Sequence, residues 1–293
     1  MIQVSRLIST LTFLLAWCVP WRPSFRVRAA KSKLLFAASY RDVSGRHIAK
    51  YGGIESHLTN WISTFLSAAP SGVFVDIGAN IGWHSIHASQ QQAVETVVAF
   101  EPDVFNIWLL DQNLSLNSVN KVVVNASAVG ARPGLIRLYR YKRSNAGRHS
   151  VLTDYGRGSR IVPMTDLDSA LSSHGLADRR VLVLKIDVEG YEPAVLAGAR
   201  QTLERTDAVI TEFSPELSRA GGLSIGAMVD QLQAAGFTAH IFGSDNTWTV
   251  VTKDELDRVD GQVDLVWTRA AQCRRVFAAV PFVVEWHVSS IAV

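Results

Sequence analysis

The sequence predicts an α/β fold built on a doubly wound, mostly parallel sheet, and three observations support this. Short apolar runs such as VFVDI (73–77) and RVLVLKI (180–186) alternate with stretches of helical periodicity. These runs are continuously apolar, which is typical of strands buried on both faces of a sheet. Glycines follow the first run and precede a helix, an arrangement common where such sheets bind ligands.

Each element follows from its local pattern. Residues 57–69 carry apolar side chains at helical spacing, and the Pro-Ser-Gly sequence that follows ends this first helix. The other predicted helices are 81–91, 103–116, 192–204 and 224–235. The predicted strands are 73–78, 96–102, 121–130, 135–141, 180–190, 207–213, 237–242 and 262–267, with a strand leading into a helix at 160–171. Residues 144–158 are predicted to be a polar loop.

The composition excludes several classes of protein. The chain has 293 residues, of which 48% are hydrophobic and 19% are charged, so it can bury a sizeable core and is not globally disordered. Its two cysteines, Cys18 and Cys273, lie far apart, and neither has a partner at metal-ligand spacing. A disulfide framework or a zinc site is therefore not expected, and a cytoplasmic location is the default.

The two ends of the chain differ from its middle. We place a basic and apolar extension, expected to be helical, at 1–50, the main domain at 51–270 and a C-terminal tail at 271–293. The apolar run at 7–21 is shorter than the roughly 20 residues of a transmembrane helix. Three interpretations stay open: an interfacial anchor, a poorly ordered or wrongly assigned start of the chain, and a secretion signal. The first implies peripheral contact between residues 1–35 and the inner face of a membrane.

Residues after the first strand define a candidate ligand site. In a doubly wound sheet, ligands bind beyond the carboxyl ends of the strands, where Asp76, Gly78, Asn80 and Gly82 lie. A carboxylate there would repel a pyrophosphate, which is bound by N–H donors and positive charge. S-adenosylmethionine has no phosphate and carries two cationic groups, a sulfonium and an ammonium. The acid therefore favours S-adenosylmethionine as the ligand.

The next two strand ends extend this predicted cofactor site. Glu101 ends the second strand, where an acid can hydrogen-bond both ribose hydroxyls, as it also does in NAD sites. Asn125 and Ala126 end the third strand and would lie near the adenine. The alternative is purely structural: Asp76 and Glu101 would be helix caps, and the third strand would end in ordinary residues.

A second motif makes the pattern specific. LKIDVEGYE (184–192) places four charged residues at the end of an otherwise apolar strand. With this motif the chain resembles the FkbM-type S-adenosylmethionine-dependent methyltransferases. The matching segments are VFVDIGANIGWHS (73–85), VVAFEPD (97–103), NLSLNSVN (113–120), NASAVG (125–130), MTDLDSAL (164–171), VLKIDVEGYEPAVLAGA (183–199) and VITEFSPE (209–216).

The resemblance implies a class I methyltransferase fold, a Rossmann-like sheet of seven strands with one antiparallel strand. It also implies methyl transfer to a hydroxyl of a sugar, a glycan or a secondary metabolite. By the same resemblance, Asp76, Gly78, Asn80 and Glu101 contact the cofactor, and Asp187 and Glu189 line the site.

Two hypotheses describe how the acceptor hydroxyl is activated. In the first, Asp187, Glu189 or His149 is a general base. His149 lies in the predicted polar loop, so an ordinary loop histidine is the alternative. In the second, which is not favoured, Asp187 and Glu212 at neighbouring strand ends hold a divalent cation.

Two other functions are weighed against methyl transfer. An NAD-dependent sugar-modifying oxidoreductase would share the sheet and Glu101, but the G-x-G-x-x-G motif is missing. A non-catalytic binding protein would not need both motifs. The core lacks a basic stripe with interleaved aromatic residues, so we expect a small-molecule or glycan acceptor and no nucleic acid. Specificity is expected in residues 141–160 and in the chain ends, and the oligomeric state stays open.

Overall fold

The computed structural model describes residues 24–39, 42–142, 144–243 and 247–269. The strands are β1 (Phe25–Arg28), β2 (Leu35–Ala38), β3 (Gly72–Ile77), β4 (Val94–Phe100), β5 (Val122–Asn125), β6 (Ala128–Val129), β7 (Gly134–Tyr139), β8 (Ser159–Thr165), β9 (Val181–Ile186), β10 (Thr206–Phe213), β11 (Phe237–Phe242), β12 (Trp248–Val250) and β13 (Val263–Arg269). The helices are α1 (Val43–Tyr51), α2 (Ser56–Ser67), α3 (Trp83–Ser89), α4 (Val104–Leu116), α5 (Leu167–Ser173), α6 (Glu192–Ala197), α7 (Arg200–Glu204), α8 (Pro215–Ala220), α9 (Ile225–Ala234) and α10 (Lys253–Leu256).

The central sheet has the strand order β12-β11-β13-β10-β9-β3-β4-β5. The strands from β10 to β5 in this order are parallel, and β13 runs antiparallel to both β10 and β11. The expected fold, a mostly parallel sheet with one antiparallel strand, is therefore confirmed. The short edge strand β12 adds an eighth strand, antiparallel to β11.

The order of the strands creates the ligand crevice. From β3 the chain continues outward through β4 to β5 and then returns to β9 on the other side of β3. Every residue of β3 and β9 is buried, as expected for aliphatic strands covered on both faces. At this reversal of direction the connections leave the carboxyl ends of β3 and β9 open to a ligand.

The strand predicted over 121–130 is in fact two strands in different sheets. β5 ends at Asn125, and the backbone amide of Ser127 donates to the Asn125 carbonyl oxygen in a tight turn. β6 then pairs with β8 in a separate sheet of order β6-β8-β7. The single-strand prediction is wrong here because the local sequence pattern does not reveal a change in pairing partner.

The helix predicted over 192–204 divides into α6 and α7 at Gly198. A Cβ atom on Gly198 would lie 2.2 Å from the carbonyl oxygen of Gly130, which follows β6. Close approach of these two segments therefore decides where α6 ends, and local helix propensity does not.

The N-terminal extension, predicted to be helical, contains a strand pair as well as α1. β1 and β2 form an antiparallel hairpin, and two asparagines, one on α4 and one at its C-cap, hold β2. Asn113 accepts a hydrogen bond from the Ala37 amide and donates to the Ala37 carbonyl, and Asn117 bonds Leu35 in the same way. The two amide side chains thus take the place of a neighbouring strand.

Several predicted features lie outside the described residues: the apolar run at 7–21, both cysteines and the tail at 271–293. Within the described ranges, no helix is both long enough and apolar enough to span a bilayer.

Candidate functional site

A cavity of about 360 Å³ opens beyond the carboxyl ends of β3, β4 and β9. Its walls are formed by the turns after these strands, by α1 and by the loop at 145–149. Residues of the β6-β8-β7 sheet and of the end of β10 complete them. Seven predicted site residues line it: Gly78, Asn80, Glu101, His149, Asp187, Glu189 and Glu212.

Asp76 is predicted to face the ligand, but it does not line the cavity. Its side chain is 1% exposed, one oxygen accepts a 2.6 Å hydrogen bond from the Ser85 hydroxyl, and the other lies 3.8 Å from the Lys185 ammonium. In this structure Asp76 therefore places negative charge beneath the cavity and holds the start of α3 against β3.

Gly82, Asn125 and Ala126 also lie outside the cavity lining. Gly82 is the N-cap of α3 in a left-handed conformation, and a Cβ atom there would lie 2.3 Å from a Leu110 methyl group. The Asn125 side chain is hydrogen-bonded to His174, and Ala126 is exposed. Beyond β5, the cavity is lined by Ser127 and Ala128 instead.

Gly78 allows the turns after β3 and β9 to touch. Its φ is +80°, and a Cβ atom would lie only 1.9 Å from the carbonyl oxygen of Asp187. Any larger residue would both strain the backbone and push these two turns apart. Gly78 is therefore required by the packing between the turns after β3 and β9, which are over a hundred residues apart in the sequence.

Glu101 organises the wall beyond β4. One carboxylate oxygen accepts a hydrogen bond from the backbone amide of Asn80 and the other from that of Asp103, and the Asn106 side chain donates a longer one. Burial raises the pKa of Glu101 to about 7, although these hydrogen bonds oppose the shift. The carboxylate is thus fixed in position and keeps lone pairs that other donors can reach.

Lys185 and Asp187 form an ion pair at the end of β9. The ammonium of Lys185, which is 3% exposed, donates to Asp187 at 2.9 Å. Burial raises the pKa of Asp187, and the charge of Lys185 opposes that change. Because a buried ammonium is costly without partners, Asp187 and Asp76 together keep Lys185 charged at the base of the cavity.

The turn after β9 is a strained segment fixed from below. Glu189 and Gly190 both have left-handed backbone conformations, with φ values of +55° and +94°. The fully buried carboxyl of Glu192 accepts hydrogen bonds from the amides of Val188 and Gly190. Burial raises the pKa of Glu192 to about 8. Glu192 does not line the cavity, so it positions the turn and leaves Asp187 and Glu189 to face the ligand.

Glu189 and Glu212 are two further carboxyl groups with raised pKa values on the cavity wall. Glu189 accepts hydrogen bonds of 3.3 Å from Arg148 and from Gln262. Burial raises its pKa to about 7, whereas the Arg148 charge lowers it. Burial and the charge of Asp187 also raise the pKa of Glu212.

His149 lines the cavity, but its lone pair is already used. Its Nδ1 atom accepts a hydrogen bond from the Tyr141 amide, so a neutral ring carries its proton on Nε2, which lies 4.0 Å from the Asp103 carboxylate. Burial lowers the pKa of His149. These contacts fit a residue that holds the loop at 141–149 in place better than they fit a base.

The cavity contains charged residues that were not predicted as site residues: Glu55, His84, Arg148 and Lys185. Lys185 could have been predicted from the sequence, because it is a charged residue inside an apolar strand. Glu55 could not have been predicted in this way, because it precedes the first motif and its position at the cavity depends on backbone geometry. Within the described residues, no group of three or more His, Cys, Asp or Glu side chains is arranged to hold a metal ion.

Solved structures of three proteins resemble the chain at low sequence identity. An rRNA methylase from Streptococcus thermophilus is 11% identical, with a TM-score of 0.43 over 73% of this chain and 93% of its own. A Streptococcus mutans protein in complex with S-adenosylhomocysteine is 9% identical, with a TM-score of 0.43 over 73% and 96%. Precorrin-6y C5,15-methyltransferase from Geobacter metallireducens is 12% identical, with a TM-score of 0.38 over 73% and 89%. No curated protein is significantly similar in sequence.

The sequence also matches a family model, that of the methyltransferase FkbM domain, over residues 76–239. This range is more than half of the chain, and it contains Glu101 together with the 187–190 turn. α1 and Glu55, which also line the cavity, precede it. The family expected from the sequence is thus confirmed: the protein belongs to the FkbM methyltransferase family.

Proposed function

We propose that the protein transfers the methyl group of S-adenosylmethionine to a hydroxyl oxygen of a small-molecule acceptor, such as a sugar, a glycan or a secondary metabolite. One observation carries the proposal: a single cavity holds Glu101 on its β4 side and Asp187, Glu189 and Glu212 on its β9 and β10 side. The first side has the groups that a nucleoside needs. The second has carboxyl groups that can take a proton from a hydroxyl.

The residues of the β4 side fit the nucleoside part of the methyl donor. The Glu101 carboxylate, held by two backbone amides, would accept hydrogen bonds from the ribose hydroxyls. Gly78, which lines the cavity, lets the turn after β3 pack directly against the turn after β9. When bound, the donor supplies a methyl group activated by its positive sulfur. At the base of the cavity the two carboxylates of Asp76 and Asp187 outnumber the single ammonium of Lys185, and this excess of negative charge suits the positive sulfur.

Glu189 is our choice for the general base. A base works best when its pKa lies near the working pH, and burial brings that of Glu189 to about 7. The acceptor oxygen would form a bond to the methyl carbon while the carbon–sulfur bond breaks and its electron pair stays on sulfur. The hydroxyl proton would move to Glu189, and Arg148 would keep the carboxylate in position.

The substitution Glu189→Gln tests this role. We expect the turnover rate to fall about 100-fold or more, the range of general-base effects, while the affinity for S-adenosylhomocysteine stays the same. Methyl release from labelled S-adenosylmethionine with pooled sugar and glycan acceptors measures the rate, and calorimetry measures the affinity. Glu216→Gln changes an exposed acid and is the matched control. Turnover within a few-fold of the unchanged protein would exclude Glu189 as the base.

Two further measurements separate this proposal from its alternatives. Activity that survives exhaustive EDTA treatment would contradict a cation held by Asp187 and Glu212. Calorimetry with NADH tests the oxidoreductase alternative, for which NADH would bind and S-adenosylhomocysteine would not. If S-adenosylhomocysteine does not bind, the proposed function itself fails.

A further inference from the structure

Glu55 is a cavity residue near Lys185 of β9. It precedes α2 in the sequence, and its electrostatic partners are His84 on α3 and Lys185 on β9. Its side chain is 35% exposed, and it lines the cavity together with the turn after β3. Glu55 also lies before the residues that match the family domain.

Its side chain is hydrogen-bonded to a histidine whose other nitrogen has no partner. His84 Nε2 lies 2.8 Å from a Glu55 carboxylate oxygen. A carboxylate can only accept, so Nε2 carries the proton and Nδ1 of a neutral ring offers a lone pair. That Nδ1 atom is buried and has no hydrogen-bond partner among the described residues. Glu55 and His84 both line the cavity, and the hydrogen bond between them fixes the position of the Glu55 carboxylate there.

The backbone of Glu55 is held in a costly conformation that its structural position does not explain. Its φ and ψ angles are 41° and 52°, a left-handed conformation that residues other than glycine adopt at a cost. Glu55 occupies the N-cap position of α2, yet its side chain makes no capping hydrogen bond. The side chain is hydrogen-bonded to His84 instead. The left-handed backbone conformation therefore places the carboxylate on the cavity wall and does not cap the helix.

Glu55 is also a fixed negative charge. Burial alone would raise its pKa, but the hydrogen bond from His84 and the charge of Lys185 contribute to lowering it to about 2. A carboxylate with so low a pKa is a weak base for a hydroxyl proton. It suits a permanent cation that brings several N–H donors.

We propose that Glu55, oriented by His84, binds the α-ammonium group at the amino-acid end of the methyl donor. This assignment rests on the proposed use of S-adenosylmethionine. With the ribose at Glu101, the amino-acid end of the donor would have to reach another part of the same cavity, and Glu55 lines that cavity. An ammonium group has three donors, and the Glu55 carboxylate, held by His84, can accept from it.

A comparison of two ligands in two proteins, the unchanged protein and Glu55→Gln, tests the assignment. We expect the unchanged protein to bind S-adenosylhomocysteine about 10- to 100-fold more tightly than the analogue in which the amino group is replaced by hydrogen, as for a charged hydrogen bond. In Glu55→Gln this preference should shrink to about threefold or less. Isothermal calorimetry gives all four dissociation constants, and Glu216→Gln is the control that should keep the full preference.

A second variant separates binding from folding. Glu55→Gly relieves the left-handed strain, so its melting temperature should equal or exceed that of the unchanged protein while the preference for the amino group is lost. An equal preference in Glu55→Gln and in the unchanged protein would overturn the assignment, as would equal binding of the two ligands by the unchanged protein. If the unchanged protein binds neither ligand, the proposed function fails and the assignment fails with it.

Discussion

Single carboxyl groups set the chemistry of the cavity, and their neighbours give each one a different character. Burial raises the pKa of Glu101 and that of Glu189 to about 7, whereas contacts with His84 and Lys185 lower that of Glu55 to about 2. One fold thus keeps one acid permanently charged and leaves two near the midpoint of their titration at neutral pH. Such differences suit a site that must bind a cation and also accept a proton.

The raised pKa of Glu101 predicts a pH-dependent affinity for the nucleoside. Ribose hydroxyls donate to the charged form, so binding should favour loss of the proton and should strengthen as pH rises through 7. 5′-Methylthioadenosine has no amino-acid end, so its dissociation constant should report on Glu101 alone. We expect this dissociation constant to decrease by up to about tenfold for each unit by which the pH rises below pH 7, and to be constant above pH 8.

Glu101→Gln provides the control for this prediction. Its binding should be weaker and nearly independent of pH between 6 and 8, as measured by calorimetry in buffers of matched ionic strength. An equally steep pH dependence in Glu101→Gln would show that another group is responsible.

At the level of elements, the N-terminal segment completes a cavity that the domain matched by the family does not close by itself. α1 contributes Val43, Ser44 and His47 to the lining. The loop at 144–149 is tied to the start of α1, because Ser144 accepts from the Val43 amide and Asp42 accepts from the Ala146 amide. The hairpin that leads into α1 rests on α4 through Asn113 and Asn117, so α4 indirectly positions one wall of the site.

Asn113→Leu should release this hairpin. The side chain is fully buried and bonds the amide and the carbonyl of Ala37 and also the carbonyl of Ile81, so its loss leaves three buried polar groups unpaired. We expect the free energy of unfolding to fall by about 3 kcal/mol, with faster hydrogen exchange at 35–38. Ser115→Ala on the exposed side of α4 should change neither quantity measurably. Unchanged exchange at 35–38 in Asn113→Leu would contradict the docking role.

For the whole molecule, the buried acids predict how stability depends on pH. The pKa values of Glu101 and Glu189 in the folded protein are about 7 and that of Glu192 is about 8, against 4.5 for an ordinary glutamate. Between these values the folded state holds more protons than the unfolded chain, so stability falls as pH rises from about 4.5 through 8. Burial lowers the pKa of His87 to about 4. This shift makes the free energy of unfolding depend on pH only between about pH 4 and pH 6.5, so His87 adds no pH dependence above that range.

Chemical denaturation at pH 7 and pH 9 measures this decrease. We expect the free energy of unfolding to be lower at pH 9, and the decrease to be smaller in Glu192→Gln. Glutamine keeps an oxygen for the amides of Val188 and Gly190 but has no proton to lose. Glu216→Gln should behave like the unchanged protein. Equal decreases in all three proteins would exclude Glu192 as a source of the pH dependence.

The elements that the sequence predicted well are those whose pattern is local. β3, β4, β9 and β10 are mostly apolar runs, and each lies within a few residues of its predicted position. The strand predicted over 121–130 and the helix predicted over 192–204 were wrong in extent, because a change of sheet at Ser127 and close packing at Gly198 ended them. Neither event leaves a signal in the local periodicity.

The sequence by itself determined the family, the parallel sheet and the strand ends that carry Gly78, Glu101 and Asp187, because each depends on residue types at fixed spacing. Only the tertiary structure decided which acids face the cavity. In the folded protein, Asp76 contacts Ser85 and Lys185, and His149 accepts a hydrogen bond from the Tyr141 amide. Glu55 lies on the cavity wall. The direction of a side chain depends on the backbone angles and partners around it, and these come from segments that are distant in the sequence.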